Sequence, residues 1–158
     1  MMQKVYLETS FISYLVARPS SDLIVAARQR LTNDWWESER PKFTLYASAL
    51  VLQEAQRGDA SEITKRMVKL DGIPLLQTTA EALRLANELV QRGALPAKAM
   101  ADAVHIAVAT VHQMDYLLSW NCKHIANAHV RRMADRIFRA AGYEPTVICT
   151  PEELEDLI

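Results

Sequence analysis

The sequence predicts one α/β domain over residues 1–158, with a mostly parallel sheet of four to five strands and helices on both faces. Short runs rich in β-branched and aromatic residues alternate with segments of helical periodicity. Half of the chain is hydrophobic, which supplies a sizeable core, and 158 residues suit one domain better than two. Only four glycines and six prolines punctuate it, so connections are short and most residues lie in regular elements.

Residues 4–7 (Lys-Val-Tyr-Leu) read as a first strand, followed at once by a helix capped by Thr9 or Ser10. Pro19-Ser20-Ser21 opens a longer helix, in which Leu23, Ala27, Leu31 and Trp35 recur every fourth residue and predict one inward stripe. Residues 43–46 form the second strand, and 47–57 a helix ended by Gly58. A helix over 60–70 breaks at Asp71-Gly72, and 73–76 is a short third strand. Residues 81–91 alternate as an amphipathic helix closed by Gly93, and 98–112 as a very apolar one. A strand over 115–119, a basic helix over 124–141, a strand over 145–149 and a short terminal helix from Pro151 complete the order.

Charge and composition exclude several function classes. Eighteen basic against nineteen acidic residues give a net charge of −1, so the chain does not coat nucleic acid through bulk charge, although a local basic patch is open to it. Cys122 and Cys149 cannot make a disulfide framework. No apolar run has the length of a membrane span, and residues 1–15 carry no signal-peptide pattern, so the expected setting is cytoplasmic without membrane attachment. Glycine-rich phosphate loops are absent, and Cys122 with His124 offers no second pair of zinc ligands. His105 and His112, seven apart on one helix, read as core or surface.

Three acids sit where acids are costly. Asp102 interrupts Ala-Met-Ala-Asp-Ala-Val-His-Ile-Ala over residues 99–107, a helix apolar nearly all round. Burying a bare carboxylate there costs several kcal/mol unless it is paired or metal-bound; a place near the helix N-terminus is the plainer explanation. Glu8 follows the first strand directly, at the carboxyl end where α/β sites gather, though it can equally cap the next turn. Glu54 shares the inward face of Leu50 and Val51. Asn121, just past the strand ending in Leu117-Leu118-Ser119, adds an amide at another strand end, where it can also be a turn residue.

Carboxylates gathered at one edge of one sheet repel each other and favour a divalent cation, and oxygen ligands select Mg2+ or Mn2+ over zinc. Such an ion lowers the pKa of an attacking water and neutralises charge on a phosphodiester, which makes metal-assisted phosphodiester hydrolysis the expected reaction class. Arg131, Arg132, Arg136 and Arg139 on the basic helix are candidate RNA-phosphate contacts, with a solvated helix face as the alternative.

Four pieces in order, Val5-Tyr6-Leu7-Glu8-Thr9-Ser10, Leu52-Gln53-Glu54, Ala101-Asp102-Ala103-Val104-His105 and Leu117-Leu118-Ser119-Trp120-Asn121, resemble PIN domains, specifically the VapC-like toxins of bacterial toxin–antitoxin modules. The resemblance covers nearly the whole chain. It implies a Rossmann-like fold, Mg2+- or Mn2+-dependent endoribonuclease activity, a homodimer, and inhibition by a small antitoxin protein. By position it implies that Glu8 and Asp102 hold the metal, that Glu54 completes the acidic set or orients water, and that Asn121 occupies the fourth polar site. Ser10 and Ser119 would support them through hydroxyl hydrogen bonds. The chain departs from the family pattern where Glu8 and Asn121 stand in place of Asp, which leaves three carboxylates. A PIN-fold RNA- or protein-binding module without turnover is the alternative reading. Exposed apolar positions such as Ile24 and Trp36 are expected to supply a dimer or antitoxin surface.

Overall fold

The computed structural model describes residues 1–155, so the last three positions of the expected 1–158 domain lie outside the described residues. Its elements are β1 (Lys4–Leu7), α1 (Thr9–Val16), α2 (Leu23–Ser38), β2 (Thr44–Ser48), α3 (Ala49–Ala55), α4 (Ala60–Leu70), β3 (Leu75–Leu76), α5 (Ala80–Gln91), α6 (Met100–Val111), β4 (Tyr116–Leu118), α7 (Ala128–Ala140) and β5 (Val147–Cys149). All strand pairings are parallel, and the five strands lie in the order β3-β2-β1-β4-β5. This is the α/β class that the sequence predicts.

The order places β1 at the centre, where Val5, Tyr6 and Leu7 are fully buried. From β1 the chain builds outward through β2 and β3, then returns to add β4 and β5 on the other side. The crevice between β1 and β4 is thus the topological switch point, where ligands of such sheets bind beyond the carboxyl ends of the strands. Helix α6 backs the sheet with residues 103–110 all buried. Trp35 of α2 stacks on Phe43 at 5.7 Å, meets Phe11 edge-on at 5.5 Å, and donates its indole N–H to the Leu154 carbonyl at 2.9 Å, fastening the C-terminal segment.

Three local expectations need correction. The stripe on α2 does not face inward along its length: Leu23 is 86% exposed and Ala27 is exposed, while Gln29, Thr32, Trp35 and Trp36 are buried. The inward face tolerates polar residues because each is satisfied. Gln29 bonds the backbone of Ser20 and Arg18, and Thr32 accepts the Trp120 indole N–H at 2.7 Å. Trp36 is not an exposed apolar position, because α2 buries it beneath the Arg40 guanidinium, 4.4 Å from its ring centroid. Finally, α1 is capped by Glu8 rather than Thr9 or Ser10, and α7 starts at Ala128 under the side chain of Asn127. Among the described residues no helix is long and apolar enough to cross a membrane.

Candidate active site

Glu8 is the first residue beyond β1, and its backbone N–H still pairs with the Leu118 carbonyl of β4 at 3.1 Å. As the N-cap of α1, its carboxylate reaches forward to the Ser10 N–H at 2.7 Å and the Ser10 hydroxyl at 2.5 Å. The Ser119 hydroxyl donates to the same oxygen, Oε2, at 3.2 Å. None of these bonds uses Oε1. Glu8 is only 4% exposed, and burial pushes its carboxyl above the ordinary range, reinforced by the charge of Glu54 and opposed by the Ser10 bonds.

The two serines join the ends of β1 and β4. Ser10 Oγ accepts the Trp120 N–H at 2.8 Å, and Ser119 Oγ accepts the Asn121 N–H at 2.9 Å. The turn then folds back, with Asn121 Oδ1 accepting the His124 N–H at 3.0 Å. His124 Nδ1 lies 3.1 Å from Asp102 Oδ2. Asp102 stands in the first turn of α6, where the helix dipole favours its charge, and its side chain is still one-fifth exposed. The helix-terminus explanation and a place in the site therefore hold together.

Glu54, near the C-terminus of α3, approaches from the other side. Its Oε1 accepts the Thr9 hydroxyl at 2.5 Å and lies 2.6 Å from His105 Nε2. Burial raises the Glu54 carboxyl, but the His105 imidazole, Thr9 and Arg57 together outweigh it and hold the group below its ordinary range. His105 is wholly buried, and its Nδ1 lies 2.6 Å from the Tyr6 hydroxyl, which burial pushes far above the usual phenol range.

The fold thus brings Glu8, Glu54 and Asn121, with Ser10 and Ser119, to the carboxyl ends of β1 and β4, and ties Asp102 of α6 to the same turn through His124. Among the described residues none of the four arginines bonds to this group. Arg131 bonds the Ile148 carbonyl and Arg139 pairs with Glu144, while Arg132 and Arg136 point to solvent from α7. From sequence, Thr9 reads as a helix cap, His105 as core or surface and His124 as half of an incomplete zinc pair, so none of the three enters the candidate site. The signal for His105 was its place in an otherwise apolar buried helix, since both ring nitrogens of a buried histidine need partners.

The model of the PIN domain family matches residues 5–140 of the chain. The chain belongs to the PIN domain family. A search of curated proteins finds no sequence match for this PIN domain. Among solved structures it is similar to VapBC2 from Rickettsia felis, bound to a DNA fragment from their promoter, with 14% identity over 94% of this chain and 98% of that one and a TM-score of 0.60. It is also similar to VapC20 of Mycobacterium tuberculosis, described as a Sarcin-Ricin loop cleaving toxin, with 21% identity over 72% of this chain and 86% of that one and a TM-score of 0.54. These likenesses are of fold.

The oxygens of this PIN domain suit a hard divalent cation. Among the described residues no group of three or more His, Cys, Asp or Glu side chains is placed to hold a metal ion; the fit rests on fewer carboxylates, since Mg2+ takes one or two and keeps several waters. Glu8 presents an oxygen that none of its hydrogen bonds occupies, in a setting that opposes its charge. A groove of about 360 Å³ borders the site through Trp120, lined also by Leu23, Ile24, Ala27, Arg28 and Cys122.

Proposed function

We propose that this PIN domain is a Mg2+- or Mn2+-dependent endoribonuclease that hydrolyses RNA phosphodiester bonds, acting as the toxin of a toxin–antitoxin pair. The observation that carries the reading is Glu8: a carboxylate buried at the switch point, with every hydrogen bond among the described residues on Oε2 and none on Oε1. A buried carboxylate with an unclaimed oxygen gains most from a cation. Glu8 and Asp102 would hold the ion, with water completing its shell. Bound there, the ion would lower the pKa of an attacking water and neutralise charge on the phosphate.

The remaining residues have distinct tasks. Ser10 and Ser119 fix Glu8 Oε2, so that its other oxygen keeps one direction. Glu54, held through Oε1, offers Oε2 to orient the water. Asn121 brings a neutral amide to the same edge and fixes the turn that carries His124. Arg132 and Arg136 are exposed on α7 and available to phosphates further along a strand, with Arg131 and Arg139 partly committed to the protein. A single-stranded or looped RNA suits a recessed site, because unstacked nucleotides can enter it; the naming of VapC20 as a Sarcin-Ricin loop cleaving toxin agrees with that class. A homodimer and a small antitoxin are the expected partners, and the exposed Leu23 and Ile24 beside the groove offer apolar surface to such a segment.

Cleavage of a mixed structured RNA in Mg2+, in Mn2+ and in excess EDTA, with Asp102→Asn alongside, tests this. Cleavage that requires metal and disappears in the variant is expected. Cleavage unchanged by Asp102→Asn would reject the assigned site, and no cleavage under any condition would favour a binding module without turnover.

A further inference from the structure

Behind Glu54 runs a line of buried side chains to which the proposed chemistry gives no task. Ser48, the N-cap of α3, accepts the Val51 N–H at 3.1 Å and lies 2.8 Å from the Tyr6 hydroxyl. Tyr6 in turn lies 2.6 Å from His105 Nδ1, and His105 Nε2 is 2.6 Å from Glu54 Oε1. Ser48, Tyr6 and His105 are all fully buried, and they come from the α3 cap, the central strand and α6. A phenylalanine and a leucine would fill such positions without polar atoms to satisfy, so packing alone does not explain them.

Counting hydrogens fixes the direction of every bond. An ionised carboxylate only accepts, so Thr9 and His105 both donate to Glu54 Oε1 and His105 carries a proton on Nε2. Were the ring also protonated at Nδ1, Tyr6 would have to accept there and turn its own proton to Ser48. The Ser48 oxygen already takes the Val51 N–H, and its own hydroxyl proton would then have no acceptor among the described residues. A neutral ring leaves no such orphan: Ser48 donates to Tyr6, Tyr6 donates to Nδ1, and Nε2–H donates to Glu54.

We infer that Ser48, Tyr6 and His105 form a positioning chain that holds the His105 ring through Nδ1, so that its Nε2–H fixes Glu54 by Oε1 and leaves Oε2 for the site. The task given to Oε2 rests on the ribonuclease reading, whereas the chain itself rests on geometry alone. The three residues act through Glu54. It is the cap of α3, the helix bearing Glu54, that starts the chain, so the orientation of the carboxylate is tied to the register of its own helix.

The experiment combines imidazole 1H–15N spectra of the 15N-labelled full chain with steady-state RNA cleavage, on the wild type, Tyr6→Phe, Ser48→Ala, Glu54→Gln and the Tyr6→Phe/Glu54→Gln double variant. The wild type should show His105 protonated at Nε2 alone with Nδ1 a hydrogen-bonded acceptor, and Tyr6→Phe should move the Nδ1 resonance to that of an acceptor without a donor while Nε2 keeps its proton. With Tyr6→Phe, kcat should fall about ten- to a hundredfold while KM stays within about twofold. On the Glu54→Gln background Tyr6→Phe should cost nothing further, which a general loss of packing would not produce. A proton on Nδ1 in the wild type, an Nδ1 resonance unmoved in Tyr6→Phe, or losses that add to those of Glu54→Gln would each overturn the inference. A wild type that cleaves no RNA would instead remove the ribonuclease reading, with the spectra still deciding the chain. Should Tyr6→Phe fail to fold, Ser48→Ala loosens the Tyr6 hydroxyl from its other end, and a smaller shift of the Nδ1 resonance in the same direction is expected, no shift overturning the inference.

Discussion

Glu8 and Glu54 are the same residue type on the same sheet edge, yet the protein treats them in opposite ways. Glu8 is deeply buried and met only by hydroxyls and one amide, so its charge is disfavoured. Glu54 is less buried and faces an imidazole and a threonine, so its charge is favoured. Carboxyl pairs whose environments push them apart mark divided labour. On the proposed reading Glu8, left short of positive charge, takes the cation, and Glu54, already partnered by His105, acts on water.

The largest effect that would break this division is on activity. Glu8→Gln keeps an oxygen for Ser10 and Ser119 but presents no charge to the ion. RNA cleavage should fall by at least about a hundredfold, measured against wild type under identical metal. A variant that cleaves normally would remove Glu8 from the centre.

Stability should separate the two glutamates by sign. A folded-state pKa above the unfolded value means that the native state binds the proton more readily, so stability falls as pH rises from about 4.3 through the raised value. Glu8→Gln removes that penalty and should raise the neutral-pH Tm by roughly 2–4 °C, the gain shrinking as pH drops below the ordinary carboxylate range. Glu54 is the reverse case. Its lowered pKa contributes stability above the unfolded value that is lost as pH falls through the folded one, so Glu54→Gln should lower the neutral-pH Tm and cost progressively less in acid. Thermal unfolding across pH 3–8 reads both, and two shifts of the same sign would dissolve the contrast.

Metal should act on one side of the comparison only. At ten times its dissociation constant, a cation bound to the folded state alone stabilises by about 1.4 kcal/mol. Added Mg2+ should therefore raise the wild-type Tm by several degrees, leave Glu8→Gln nearly unmoved, and still raise Glu54→Gln. Equal responses from all three would mean that the ion binds elsewhere.

The legibility of the two residues differs for a related reason. Asp102 stands out in the sequence because a carboxylate in an apolar helix is anomalous on its own, and Glu8 because it directly follows the first strand, at the end where α/β sites gather. The sheet was legible likewise, since β-branched runs announce strands locally. What holds Glu54 was not, because His105 lies 51 residues away and nothing near either residue announces the pairing. Helix α2 was misjudged for the same cause: Gln29 and Thr32 are buried only because tertiary partners satisfy them, and a pattern of apolar spacing cannot show a satisfied polar group. His124 was seen only as half of an unpersuasive zinc pair, although its tie to Asp102 closes the turn at the end of β4.

Asn121 allows the smallest and sharpest adjustment. Its Oδ1 accepts the His124 N–H, a role that a carboxylate oxygen performs equally well, so Asn121→Asp should preserve the turn while adding a negative charge. In the metal-free protein that charge is partly screened, and its cost should stay below about 1 kcal/mol. Toward a divalent cation it adds to the attraction of Glu8 and Asp102, and affinity for Mn2+ by isothermal titration should rise about three- to tenfold. An unchanged affinity would place Asn121 beyond the reach of the ion and reduce its part to holding His124 against Asp102. A gain in affinity with no gain in cleavage would be equally instructive, because it would mean that the placement of Glu8, rather than the strength with which the ion is held, limits the reaction.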